Sequence, residues 1–316
     1  GIRYVSVLPG TGYGDSAAQY IAGLRALGIP VSWAPTSGGD GELSQDAIHS
    51  GIRRAPIPYD TVLLHDQPQN FGRWIERDRV NIGYVAWESD RAPRRWRESL
   101  ELLELVLVPS AFCQRAVIET GTSTRVEVLP HIARPVQPMP GGRFDPISEQ
   151  DFVFYTIGPW HNRKALPETI CAFADTFTSA DDVALIIKTS AFDYTAMTPS
   201  PGRPKKGRQN AVMSWWSLAT LLAGYPNHPK VFLHCADASP DVIDQIHTRG
   251  DCFVSLTRGE GWGLGCFDAA LFGNPSIITG WGGHLEYLGP AYPFLVDYEL
   301  VPTSFDQSDA FGFPLE

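Results

Sequence analysis

One stretch of the chain, from Thr257 to Pro275, combines closely spaced glycines with acidic side chains. It reads TRGEGWGLGCFDAALFGNP, and it follows an apolar, strand-like run and opens a helical pattern. Such a turn lets the backbone approach a bound group, while the N–H groups and dipole of the following helix favour an anion such as a diphosphate. Glu260 precedes this helix and Asp268 lies inside it, so two carboxylates could accept hydrogen bonds from hydroxyl groups. The combination suits a sugar nucleotide, although glycine spacing alone fits an ordinary strand-to-helix turn equally well.

Other polar residues stand where predicted strands end in the first half of the chain. His65 and Asp66 close one apolar run and could bind an acceptor, although a histidine hydrogen-bonded within a loop is an equally good explanation. His131 follows another predicted strand. Gly12 and Gly14 follow the first strand, where they could let the backbone approach a substrate. The histidines do not share the spacing of metal ligands, so no metal site is predicted.

Short β-branched runs alternate with amphipathic stretches along the chain, which is typical of parallel strands joined by crossover helices. Strands are predicted at Arg3–Leu8, Val31–Trp33, Thr61–Leu64, Ile82–Ala86, Leu105–Val108, Val126–Leu129, Phe152–Ile157, Val183–Lys188, Lys230–His234 and Cys252–Leu256. Helices are predicted at Ala17–Leu27, Trp96–Leu103, Pro167–Phe177 and Ser239–Thr248. Residues 135–142 have the proline and glycine content of a linker. This predicts an N-terminal domain at residues 1–140 and a C-terminal domain at residues 141–316.

Composition excludes several classes of protein. With 316 residues, of which 43% are hydrophobic, the chain is long enough for about two packed domains. A net charge of -10 disfavours a general nucleic-acid binder. The five cysteines are widely spaced and predict neither a disulfide framework nor a zinc site, which favours a reducing compartment. No apolar run approaches the roughly 18 residues of a membrane span, so we expect a cytoplasmic protein without a transmembrane segment.

The glycine-rich stretch resembles the acidic E-x7-E signature of retaining glycosyltransferases of the GT-B fold, in particular glycosyltransferase family 4. It reads E-x7-D in this chain. Three further segments, Val106–Phe112, Val128–His131 and Thr279–Leu288, resemble segments of the family in the same order. The resemblance implies an α/β, GT-B architecture of two Rossmann-like domains facing across a cleft, with the acceptor on the N-terminal side and the nucleotide sugar bound by the C-terminal domain.

The resemblance also implies roles for individual residues. Glu260 would hold hydroxyls of the donor sugar, and Lys164, with its neighbour Arg163, would contact the donor diphosphate, because the family places a lysine after the first strand of its C-terminal domain. The implied donor-binding residues are Gly12, Gly14, Arg258, Gly261, Trp262, Gly263, Leu264 and Asp268, the last on the ribose. The implied acceptor-side residues are His65, Asp66, Trp87, Glu88 and His131. The chain departs from the family at Asp268, which is one methylene shorter than Glu, and at Pro159, where several members have Arg.

The implied activity is retaining transfer of a hexosyl or deoxyhexosyl group from a nucleotide-diphosphate sugar to a hydroxyl of a glycan, lipid-linked or small-molecule acceptor. Such a reaction would serve glycan, polysaccharide or natural-product biosynthesis, with neither a metal nor another cofactor. A sugar-nucleotide epimerase of similar fold and a non-catalytic nucleotide-sugar-binding protein stay open as alternatives. An NAD-linked oxidoreductase is disfavoured because Ala17 stands where the dinucleotide motif has its third glycine. The base, sugar, acceptor, linkage and oligomeric state are left open.

Overall fold

The structure is a computed structural model that describes residues 1–36, 56–136, 138–139, 142–196 and 212–302. The chain divides into two compact units. Unit 1 contains the described residues of Gly1–Arg134 together with Glu260–Trp262 and Gly282–Glu286, and unit 2 contains the remaining described residues. The predicted boundary between residues 140 and 141 lies outside the described residues.

Unit 1 is built on a parallel sheet. Its strands are β1 (Ile2–Ser6), β2 (Val31–Pro35), β3 (Thr61–His65), β4 (Val80–Tyr84), β5 (Leu105–Val108) and β6 (Val126–Val128). Their order across the sheet is β2-β1-β3-β4-β5-β6, and every neighbouring pair is parallel. Its helices are α1 (Gly12–Ala26), α2 (Trp96–Leu100) and α3 (Ala111–Ile118), and Pro68–Arg73 forms a 3-10 turn. Tyr4, Ala17, Ile21 and Trp33 pack in its core because α1 lays its apolar face on the sheet.

Unit 2 is built on a second parallel sheet. Its strands are β7 (Phe152–Ile157), β8 (Val183–Lys188), β11 (Lys230–His234), β12 (Cys252–Ser255), β13 (Ser276–Thr279) and β14 (Leu295–Val296), while β9 (Phe192–Asp193) and β10 (Val212–Met213) form a separate antiparallel pair. The order is β11-β8-β7-β12-β13-β14. Its helices are α4 (Leu166–Thr176), α5 (Ser214–Leu222), α6 (Pro240–Arg249) and α7 (Leu264–Leu271), and α8 (Leu285–Leu288) follows β13. The predicted α/β class with two parallel sheets is therefore confirmed.

Some helix bounds differ from the predicted ones. The first helix begins at Gly12 rather than Ala17, because Thr11 caps it and the glycines that suggested a loop lie inside its first turn. The helix predicted at Trp96–Leu103 ends at Leu100. Strands β7, β8 and β11 have the predicted bounds.

The topology of unit 2 brings the chemically interesting segments together. From β7 the chain adds β8 and β11 on one side of the sheet, and it then adds β12, β13 and β14 on the other side. Strands β7 and β12 are therefore adjacent and parallel although nearly 100 residues separate them in sequence. In open parallel sheets, ligands bind beyond the carboxyl ends of strands at such a switch point. The segments that follow these two strands carry the arginines, the lysine and the glycine-rich stretch singled out in the sequence.

Candidate functional site

Helix α7 of unit 2 starts without a side-chain cap. Gly263 is the N-cap residue of α7 and has φ +83 and ψ 64, a left-handed conformation that favours glycine. Among the described residues no side chain makes a cap hydrogen bond there. A Cβ at Gly265 would lie 3.2 Å from the carbonyl oxygen of Ile157, so glycine lets α7 start close to the end of β7. A helix N-terminus of this kind favours a nearby anion through its dipole.

A cationic turn at Asn162–Lys164 follows β7 and is joined to the chain after β12. The Arg163 guanidinium donates a hydrogen bond to the carbonyl of Gly259 at 2.6 Å, and Arg163 O accepts one from the Arg258 N–H at 2.7 Å. The half-buried Lys164 side chain runs over Gly158, where a Cβ would lie 3.6 Å from its Cδ and Cε. Two cations thus lie close to the end of β7.

His161 precedes this turn and was not singled out in the sequence. Its Nδ1 accepts a hydrogen bond from the Arg163 N–H at 3.0 Å. Burial first, and then the charges of Arg163 and Lys164, lower the pKa of His161 to about 4. His161 is therefore neutral mainly because it is buried, with a smaller contribution from the two cations beside it.

Arg258 takes part in the framework of the same region. Its guanidinium donates to the carbonyl of Asn162 and pairs with Glu168 at 2.5 Å. The contacts fasten the chain after β12 to the start of α4, so the guanidinium already has protein partners. Asp268 lies about one turn into α7 and is partly buried.

The Glu260–Trp262 segment belongs to unit 1. Glu260 is 7% exposed and Trp262 is 4% exposed. The Trp262 ring meets the His131 ring edge-on, with centroids 5.5 Å apart. Gly261 packs tightly, because a Cβ there would come within 2.9 Å of the Trp87 carbonyl oxygen.

His65 is enclosed by the protein and is only 1% exposed. Its Nδ1 lies 2.8 Å from the Tyr4 hydroxyl and its Nε2 lies 3.2 Å from the Ser16 hydroxyl. The Tyr84 ring is 4.3 Å away, and burial holds the pKa of His65 well below its usual range. Because both ring nitrogens already have partners and the ring is buried, the geometry favours the alternative of a histidine hydrogen-bonded within the fold. The expectation that His65 contacts an acceptor stays a prediction.

Of the other predicted acceptor-side residues, two serve the local structure. Asp66 accepts hydrogen bonds from the Gln67 N–H at 2.7 Å and the Asn70 amide at 3.2 Å. The Trp87 indole donates to the Arg91 carbonyl at 2.7 Å, and its ring packs on Trp96.

His131 and Glu88 are more accessible. Both side chains are partly exposed. The Nδ1 of His131 lies 3.4 Å from the Tyr84 hydroxyl, and burial lowers the pKa of His131 to about 4. His131 is therefore neutral at physiological pH, a state in which one ring nitrogen can accept a hydrogen bond.

Gly14 has a structural reason to be glycine. A Cβ at this position would overlap the carbonyl of Leu8, so the residue allows the first turn of α1 to fold against the chain leaving β1. Gly12 is the first residue of that helix. The group that closely approaches Gly14 is therefore the protein's own Leu8 carbonyl.

Comparison with solved structures identifies the architecture. HepE from Anabaena, solved with UDP and glucose, matches over 90% of this chain and 82% of its own, with a TM-score of 0.57 and 16% identity. A glycosyltransferase from Rickettsia africae matches over 91% of this chain and 81% of its own, with a TM-score of 0.64 and 12% identity. Trehalose-6-phosphate synthase, studied for glycosyl transfer with retention, matches over 94% and 87%, with a TM-score of 0.58 and 11% identity. The chain has the GT-B fold.

At these sequence identities the structural likeness establishes the GT-B fold. The activity has to be argued from the residues of the site. A scan against protein-family models finds no match, and a search of curated proteins finds none either. The expected membership of glycosyltransferase family 4 is therefore not established by the GT-B fold.

Two further observations concern the described part of this GT-B chain. Within it, His, Cys, Asp and Glu side chains form no group of three or more that could hold a metal ion. The described helices include none with the length and apolar character needed to cross a membrane.

Sequence reasoning missed residues that shape the surroundings of the predicted site. Tyr4, Tyr20 and Tyr84 enclose His65, and Ser110 contacts the Glu260–Trp262 segment. In the sequence Ser110 stands only within the Val106–Phe112 segment that resembles the family, which does not predict a contact with a distant loop. For tyrosines on strands and helices, the sequence pattern predicts only a place in the core.

Proposed function

We propose that the chain is a glycosyltransferase that uses a nucleotide-diphosphate sugar as donor and a hydroxyl group as acceptor. The observation that carries the proposal is the arrangement around the switch point of the second sheet. An uncapped helix start at Gly263 and the cationic residues Arg163 and Lys164 follow strands β12 and β7, which lie side by side. The binding of UDP and glucose by HepE, a structural neighbour, supports the same class of donor.

In this proposal the second unit binds the diphosphate. The N–H groups at the start of α7 and the side chains of Arg163 and Lys164 neutralise the negative charge that grows on the leaving diphosphate, which is the main electrostatic requirement of the reaction. Asp268 accepts hydrogen bonds from the ribose, and Glu260 accepts them from hydroxyls of the donor sugar. Because the cations perform this task, the proposed reaction needs no divalent metal.

We propose that transfer proceeds with retention, which the study of trehalose-6-phosphate synthase supports. The bond between the anomeric carbon and the diphosphate oxygen breaks, and the acceptor oxygen bonds to the anomeric carbon on the same face. The acceptor hydroxyl passes its proton to the departing phosphate oxygen, so the nucleotide diphosphate leaves with the bonding electron pair. Glu88 and His131 are the accessible side chains that we assign to the acceptor.

Binding measurements test the donor assignment. Titration calorimetry with UDP, GDP, ADP and TDP, with and without a chelator, should show one diphosphate binding with an affinity that the chelator leaves unchanged. Lys164→Met should weaken that binding roughly 10- to 100-fold, as for loss of a charged hydrogen bond. Arg125→Met is the matched control, since it removes an exposed cation paired with Glu127 in unit 1.

Turnover measurements test the reaction. Incubation with the sugar form of the preferred nucleotide should release nucleotide diphosphate, and Glu260→Gln should reduce this release roughly 10- to 100-fold with little change in thermal unfolding. Epimerisation of the sugar without nucleotide release would replace the proposal with an epimerase. Failure of all four diphosphates to bind would overturn it.

A further inference from the structure

Two successive carbonyl groups of the Glu260 loop are held by two different segments of unit 1. The carbonyl of Glu260 accepts a hydrogen bond from the Gly283 N–H at 2.6 Å. The carbonyl of Gly261 accepts one from the Ser110 hydroxyl at 2.8 Å, and the Cys113 thiol lies 3.4 Å from the same oxygen. Ser110 and Cys113 are fully buried, so these contacts are shielded from water.

The packing around these carbonyls leaves no room for a larger residue. A Cβ at Gly283 would overlap the carbonyl oxygen of Gly261 and would lie 2.8 Å from the Ser110 hydroxyl. A Cβ at Gly261 would lie 3.1 Å from the Cys113 sulfur. Burial raises the pKa of Cys113 to about 12, so its thiol keeps its proton and can donate it. The backbone on both sides of the 260–261 peptide is therefore fixed by close contacts as well as by hydrogen bonds.

Ser110 performs two tasks with one hydroxyl. It accepts a hydrogen bond from the Cys113 N–H at 3.2 Å, which caps the start of α3, while it donates to the Gly261 carbonyl. Nearby, the Ala111 N–H of the same helix start donates to the Glu286 carboxylate at 2.9 Å. The start of α3 thus contacts the Glu260–Trp262 and Gly282–Glu286 segments, both of which belong to unit 1.

We propose that Ser110 and Gly283 are positioning residues that fix the 260–261 peptide and thereby aim the Glu260 carboxylate at the donor sugar. The inference rests on the proposed role of Glu260 and extends it to residues that contact no substrate. A carboxylate recognises hydroxyls well only when its backbone is held within a fraction of an ångström of the productive position. Loosening the peptide should therefore weaken recognition of the sugar and leave recognition of the diphosphate intact.

The test compares affinity for the nucleotide sugar with affinity for the nucleotide diphosphate alone. Ser110→Gly removes the hydroxyl, yet glycine is nearly as good as serine at a helix start. We expect this variant to raise the Kd of the nucleotide sugar roughly 3- to 10-fold and to change the Kd of the diphosphate less than about twofold. Gly283→Ala places a methyl group against the same peptide from the other side. We expect it to change the ratio of the nucleotide-sugar Kd to the diphosphate Kd as Ser110→Gly does.

Thr120→Val is the matched control at the other end of the same helix. Like Ser110, the buried Thr120 hydroxyl donates to a main-chain carbonyl, that of Val117 at 2.7 Å, and accepts from a main-chain N–H, that of Thr122 at 3.3 Å. This variant should lower the midpoint of thermal unfolding without changing the ratio. An unchanged ratio in Thr120→Val together with a raised one in Ser110→Gly supports a positioning role over a general loss of stability.

Glu260→Gln separates the two proposals. If this variant raises the ratio and Ser110→Gly does not, the positioning role is overturned and the role of Glu260 stands. If Glu260→Gln itself leaves the ratio unchanged, the sugar-binding role of Glu260 fails and the positioning role fails with it. Equal weakening of sugar and diphosphate binding in Ser110→Gly would also overturn the inference.

Discussion

The turns that follow β1 and β12 both carry closely spaced glycines before a helix, yet their helix starts are satisfied differently. After β1, the Thr11 hydroxyl accepts from the Gly14 N–H at 3.2 Å, and the Asp15 carboxylate accepts from the Gly10 N–H at 2.8 Å. After β12, the N-cap residue is Gly263, which has no side chain to offer. The first helix start is therefore capped by its own side chains, whereas the second has no side-chain cap at Gly263. Glycine spacing is common to both, and the capping residue distinguishes them.

The same contrast extends to the histidines at the two sheet ends. In unit 1, His65 and His131 are held neutral mainly by burial. In unit 2, the cations Arg163 and Lys164 add to the effect of burial on His161. At the first sheet end His65 is enclosed by the fold, whereas at the second His161 lies beside the two cations Arg163 and Lys164.

The largest predicted effect is a loss of stability in acid that originates in unit 1. The pKa of His131 is about 4 in the folded protein, below the value of about 6.5 of an unfolded chain, so the unfolded state binds the proton first. The stabilisation is complete above about pH 6.5 and is lost as the pH falls towards 4, by at most about 3 kcal/mol. His65 acts in the same direction.

Urea unfolding followed by tryptophan fluorescence at pH 7.5 and pH 5 measures this loss. His131→Gln, which cannot take up the proton, should lose less stability between the two pH values than the wild type does. An identical loss in variant and wild type would show that His131 does not contribute to acid sensitivity.

The second effect tests whether glycine in the first turn is structural. Gly14→Ala places a Cβ against the carbonyl of Leu8, and relief of this overlap should cost about 1–3 kcal/mol of unfolding free energy. Gly72→Ala is the control, because a Cβ at Gly72 would meet nothing within 4 Å and should change stability by less than about 0.5 kcal/mol. Folded Gly14→Ala should bind the diphosphate as the wild type does. A selective loss of that binding at unchanged stability would place the first turn in the donor site.

Local patterns predicted the framework well where they were strong. The β-branched runs predicted β7, β8 and β11 with their observed bounds, because a buried parallel strand needs an uninterrupted apolar run. The glycines near Gly12 suggested a loop and hid the start of α1, since a cap can place glycines within a first turn. Periodicity describes neighbours in sequence, and it predicts a sheet better than it predicts a helix end.

The surroundings of the candidate site depend on contacts that no local pattern encodes. His65 and its partner Tyr4 are 61 residues apart, so the sequence left its role open between an acceptor ligand and a packed histidine. Ser110 and Gly261 are 151 residues apart, and their hydrogen bond has no sequence signature. Glycine and charge patterns could nominate Glu260, Arg163 and Lys164, whereas the groups that hold such residues in place became visible only when the chain was folded.

The smallest effect compares the two helix starts directly. Gly263→Ala introduces a Cβ at φ +83, which costs about 1–2 kcal/mol and shifts the start of α7. If the N–H groups there bind the diphosphate, this variant should lower diphosphate affinity roughly tenfold. Thr11→Ala removes the cap of α1 at a cost of about 1 kcal/mol and should leave that affinity unchanged, because the first turn satisfies only itself. Calorimetry with the preferred diphosphate measures both. Equal losses in the two variants would mean that helix stability alone governs binding, and the distinction between the turns would fail.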